Sequence, residues 1–133
     1  MKNMLSKFKI SFPVVLFLMV SFLSSAFALG ELNGKTFTGE IGNKGEGAGT
    51  QDSFVFKDGK FASTLCSTFG YSSGDYKEIT EGDTINFESQ ITSANGGKMD
   101  WKGSVKGENL EGTFVTHENT QTSESWFKGT LKK

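Results

Sequence analysis

The chain has 133 residues, among them 17 glycines, one proline and one cysteine, with 14 lysines, no arginine and 15 acids for a formal charge of −1. That length holds one modest domain and leaves no room for a large multi-domain enzyme. The balance of charge argues against nucleic acid or an anionic membrane surface as partner, and without arginine there is no bidentate fork for phosphate.

The first segment reads as a cleavable secretory signal over residues 1–28. Lys2, Lys7 and Lys9 make a basic start, an apolar run follows from Val14 to Leu23, and small residues close it. A stretch from Ile10 to Leu29 is long enough to span a bilayer, but Ser11, Pro13, Ser21, Ser24 and Ser25 interrupt it. Ala26-Phe27-Ala28 suits cleavage after Ala28, with a cut after Ala26 as the second choice. Cleavage would leave one domain, 29–133, with 11 lysines against the same 15 acids, a charge of about −4. The expected location is periplasmic or secreted, with no membrane contact after processing. Cys66 lies far from the signal, so no lipid attachment is expected, and a lone cysteine forms no internal disulfide.

Period-two alternation dominates residues 29–133, and no stretch holds a helical period over the length a helix needs. Turn signals at Asp58-Gly59, Gly82-Asp83, Asn95-Gly96-Gly97 and Gly107-Glu108 divide it into strands near 35–41, 51–57, 60–65, 75–81, 83–92, 97–106, 109–117 and 124–131. Asp58-Gly59 as a two-residue turn sets Phe56 opposite Phe61. Gly107-Glu108 sets Val105 opposite Leu110, Gly103 opposite Gly112 and Trp101 opposite Phe114. In both hairpins the register puts apolar residues on one face.

A short repeat follows from these registers. An aromatic, a glycine and an aliphatic recur two residues apart as Phe37-x-Gly39-x-Ile41, Trp101-x-Gly103-x-Val105 and Phe127-x-Gly129-x-Leu131, and reversed as Leu110-x-Gly112-x-Phe114. Glycine weakens a strand interior unless the backbone must bend or something must come close. Four glycines on one shared face therefore predict a sheet coiled enough to close. The expected fold is all-β, an antiparallel up-and-down barrel of about eight short strands, with a two-sheet sandwich as the alternative. Outward lysine, glutamate, serine and threonine disfavour a membrane barrel.

The segments Leu32-Asn33-Gly34-Lys35-Thr36-Phe37, Trp101–Gly107 with Leu110–Thr113, and Trp126–Leu131 resemble a group of small exported bacterial proteins of unassigned function. Gly34-Lys35-Thr36-Phe37 more distantly resembles the first strand of calycin-type barrels, the lipocalins and avidins, which carry tryptophan where this chain offers Thr36 or Phe37. That resemblance implies a small apolar or amphipathic ligand held without covalent attachment in the barrel mouth.

The connection Leu65–Tyr76 is the least hairpin-like, and its side chains suit a mouth. Cys66, Phe69, Tyr71 and Tyr76, with Trp101 and Phe114 from the wall, form the candidate ligand site; the plainer reading makes them core. Trp126 and Phe127 are adjacent, so one must face out, and an outward Trp126 suggests a partner surface. That surface motivates the alternative function, an envelope or secreted interaction or inhibitor module with no small ligand. His117 is the only histidine, and nothing in the spacing brings it to Cys66. No catalytic role, metal site or cofactor is expected, and the sequence leaves the oligomeric state open.

Overall fold

A computed structural model describes residues 30–133. The predicted signal and both cleavage positions lie outside the described residues. The elements are β1 (Thr36–Asn43), β2 (Thr50–Lys57), β3 (Lys60–Ser63), one helical turn α1 (Thr64–Ser67), β4 (Gly74–Glu81), β5 (Thr84–Thr92), β6 (Lys98–Lys106), β7 (Asn109–Glu118) and β8 (Gln121–Leu131). Each strand pairs with the next, and β8 returns to β1, so the sheet closes into an eight-stranded antiparallel barrel.

The tight turns set the registers. Asp58 and Gly59 have φ of 54° and 77°, the left-handed pair that a two-residue turn needs to match strand twist. Phe56 consequently opposes Phe61, and across the β6–β7 turn Trp101 opposes Phe114 and Gly103 opposes Gly112. A second glycine pair, Gly39 with Gly129, sits where β1 meets β8 and the barrel closes.

Eight rings fill the interior: Phe37, Phe54, Phe56, Phe61, Phe87, Trp101, Phe114 and Phe127 are all buried. Phe56 meets Phe87 with centroids 4.9 Å apart, Phe61 meets Trp101 at 4.9 Å, and Trp101 stacks on Phe114 at 4.0 Å. The paired glycines make room for this packing. A Cβ at Gly103 would stand 2.7 Å from ring atoms of both Phe87 and Phe127.

The two barrel ends are sealed differently. At the end where β1 begins and β8 finishes, Leu32 is fully buried. Its turn is pinned by the Glu78 carboxylate, which accepts from the Glu31 and Leu32 amides at 2.9 and 3.2 Å. Gly34 N–H also donates to the Phe56 carbonyl at 2.6 Å. The other end carries the connections 44–49, 64–73, 93–97 and 119–120, and is the mouth.

Several strand boundaries shift by one to three residues from the sequence reading, and two of the larger shifts have a local cause. The third strand ends at Ser63 rather than 65, because Ser63 Oγ accepts from the Cys66 amide at 3.1 Å and Asp52 Oδ1 accepts from the Leu65 amide at 2.8 Å. These caps turn the chain into α1. The last strand begins at Gln121 rather than 124, because Asn119, with φ of 56°, makes a tight turn without glycine.

The barrel has one thin seam. β3 pairs with β4 at only Lys60–Asp75 and Phe61–Gly74, whereas β4 pairs with β5 at six positions.

Candidate functional site

At the mouth, chain direction at the end of β3 depends on a buried carboxylate. Asp52 is 7% exposed, yet its oxygens accept from the Ser53 amide at 2.7 Å, the Leu65 amide at 2.8 Å and the Ser63 hydroxyl. Three donors offset the cost of burying that charge. The same arrangement places Cys66 inside the barrel end. Burial pushes its thiol up from the ordinary value, against a smaller opposing effect of the Ser63 hydrogen bond and a further upward push from the Asp52 charge. The thiol is therefore protonated at neutral pH, and its nucleophilic form is suppressed.

Tyr71 closes the mouth next to it. Its ring is buried, and its hydroxyl donates to Glu118 Oε2 at 2.7 Å. Burial, and then the Glu118 carboxylate, push the phenol up to about 12. A bridge between Tyr71 and Ser93 ties the 64–73 connection to the end of β5.

The other residues of the predicted ligand site lie apart from these two. Phe69 is 71% exposed at the tip of the connection. Tyr76 is half-buried and sets its ring at 80° to Phe56 with centroids 5.1 Å apart, so it extends the aromatic core. Trp101 and Phe114 form the stacked pair within that core. The structure thus groups Cys66 and Tyr71 at the mouth, Trp101, Phe114 and Tyr76 in the packed rings, and Phe69 in solvent.

Two polar details qualify the mouth. Among the described residues the Trp101 indole N–H has no acceptor, although it is buried. Beside Phe114 and Ser125, beneath the glycine-rich 44–49 connection, lies a pocket of about 160 Å³. Ligand pockets for drug-sized molecules run from about 300 to 1,000 Å³. The space suits a few heavy atoms and is too small for a lipid-like molecule.

His117 faces outward, with Nε2 3.2 Å from Asp100 Oδ2 and Nδ1 3.5 Å from the Thr122 hydroxyl. The Gln90 amide and then His117 hold the Asp100 carboxyl below its usual range. Cys66 is buried inside the barrel end while His117 stands on the outer face, so these two side chains are not brought together.

The outer wall carries a larger feature that sequence reading found only in part. An open groove of about 900 Å³ crosses β4 to β8, bordered by Lys77, Ile79, Lys102, Trp126 and Lys128. Trp126 faces outward and is half-buried, while Phe127 points into the core. The Trp126 indole lies over Gly42, where a Cβ would stand 2.6 Å from Cε2, and reaches Gly49, where it would stand 2.9 Å from Cη2. Its N–H donates to the Glu46 carbonyl at 2.8 Å, and Lys128 Nζ lies 5.5 Å from the ring centroid. Glycine at 42 leaves the backbone bare, and the cross-strand indole covers it. The ring is held rigidly with part of its surface facing the groove. Adjacent Trp126-Phe127 was the available signal, and the contribution of Ile79 and the lysines from other strands needed the fold.

No protein family, curated protein or solved structure matches this chain.

Proposed function

We propose that this is an exported, non-catalytic interaction module: a solid barrel that binds another protein through its outer wall around Trp126. The observation that carries the reading is the ring packing, in which Phe54, Phe56, Phe61, Phe87, Trp101 and Phe114 occupy the space a lumenal ligand would need. The surface supports it too. Trp126 is an aromatic anchor fixed before any partner arrives, so its ordering adds little cost on binding. Lys77, Lys102 and Lys128 with Glu88 and Glu111 give the groove mixed charge that would select among partners. The calycin-like alternative, a small apolar or amphipathic ligand at the mouth, has the space beside Phe114 to work with, and the size of that space weighs against it.

Site-specific photo-crosslinking in cells expressing the full chain tests the proposal. A crosslinker at position 102 or 113, flanking Trp126, is expected to capture one common protein, and a crosslinker at 53 on β2 is expected to miss it. The same adducts from all three positions, or none from 102 and 113, would remove the groove as a partner surface.

A further inference from the structure

The thin seam leaves part of β4 without a neighbour. At the β4–β5 turn, Glu81 and Thr84 flank a two-residue loop, which makes them a hydrogen-bonded pair. The backbone groups of Glu81, Ile79 and Lys77 therefore point to β5, and those of Thr80, Glu78 and Tyr76 point to the β3 side. Tyr76 N–H donates to the Gly59 carbonyl at 3.3 Å, the last rung on that side. Beyond it β3 has turned away into its hairpin. Among the described residues the backbone N–H and C=O of Glu78 and Thr80 have no hydrogen-bond partner. An edge of this kind is a template for an extended chain.

The side chains on this edge specify which chain. Lys77, Ile79 and Glu81 alternate on the outer face, and Ile79 is 66% exposed. Pairing this segment antiparallel with itself, on a two-fold axis at Ile79, puts Ile79 against the partner's Ile79. Lys77 then meets the partner's Glu81, and Glu81 meets the partner's Lys77. The same register sets Glu78 opposite the partner's Thr80, the hydrogen-bonded pairing, so four rungs form from the eight free groups of two copies. Charged residues on an edge ordinarily deter pairing. In this order they are complementary across the axis and repel an edge of different charge pattern. The inward Glu78 carboxylate is already held by the Glu31 and Leu32 amides, so it brings no free charge to the seam. Tyr76 N–H is occupied by Gly59, which ends the ladder and fixes its register.

We propose that two copies of this chain associate by antiparallel pairing of the β4 edges, Lys77–Glu81 to Lys77–Glu81, through an isologous two-fold contact. The contact is short, so association is weak and concentration-dependent. Sedimentation equilibrium up to about 1 mM covers the range in which such a contact is populated. With protein exported from cells expressing the full chain, a reversible monomer–dimer equilibrium is expected.

Charge reversal tests the register. Lys77→Glu or Glu81→Lys alone sets like charges across the axis twice and is expected to weaken the dimer by roughly tenfold. Mixing the two single variants restores both opposite-charge pairs, so a heterodimer should form in preference to either homodimer, and the double variant should regain the original affinity. Ile79→Cys should give a disulfide-linked dimer on mild oxidation, whereas Thr113→Cys should not. A monomer at every concentration would overturn the proposal. So would a dimer indifferent to the single reversals, or an Ile79→Cys variant that links only to a different protein. Because Lys77 and Ile79 also border the groove, the two proposals are told apart by what is captured: a different protein from positions 102 and 113 speaks for the groove, and the charge-reversal series speaks for the edge.

Discussion

Single side chains decide how the mouth behaves. Tyr71 is buried with its hydroxyl on Glu118, and both burial and that negative charge favour the neutral phenol. A phenol raised from 10.0 to about 12 in the fold stabilises the folded protein fully below pH about 10, and that contribution is lost as pH rises towards 12. The chain has two tyrosines, and burial raises Tyr76 as well. Ultraviolet titration of tyrosinate should therefore show no unperturbed tyrosine, with the later step near 12 disappearing in Tyr71→Phe. Both tyrosines titrating together with the ordinary midpoint near 10 would contradict the closed mouth. Cys66 follows the same logic: in its buried place a protonated thiol is the stable form, and it serves as packing.

At the scale of elements, the glycine pairs are what let strands carry so many rings. Gly103 and Gly112 face each other on β6 and β7, and both would drive a Cβ against the Phe127 ring. Gly103→Ala is expected to cost about 1–3 kcal/mol, the range for overpacking a filled core. The exposed Gly47 has open space around it, so Gly47→Ala should stay within about 0.5 kcal/mol. Urea unfolding of both variants checks this, with a shift of midpoint at unchanged slope expected for the first. Equal effects at the two positions would mean that the inward glycines are not packed.

Much of this strand order was legible beforehand, because Asp58-Gly59 and Gly107-Glu108 fix both turn and register, and a one-residue slip would bury lysines. The helical turn α1 was not. Four residues carry no periodicity, and the carboxylate that helps to cap it belongs to Asp52, on β2 across the 58–59 hairpin. Nor could alternation reveal the open edge of β4. Lys77, Ile79 and Glu81 alternate as any outward strand does, and the missing neighbour follows from where β3 begins, at the 58–59 hairpin.

For the whole molecule, closure and filling are separate questions. Inward glycines announced closure, and each also leaves a gap on the inner face where a side chain would stand. The space is real, but rings contributed by other strands occupy it: the gap at Gly103 is taken by Phe87 from β5 and Phe127 from β8. A sequence read one hairpin at a time cannot assign a ring to a gap two strands away. A filled barrel transmits little through its interior, and the proposed interactions accordingly fall on its walls, at Trp126 and the β4 edge. Native mass spectrometry of the protein purified from its own host tests that account most directly. It should fly as the bare chain, as its dimer, or with a protein partner. A stoichiometric small apolar or amphipathic molecule retained by the folded chain and released on unfolding would contradict it.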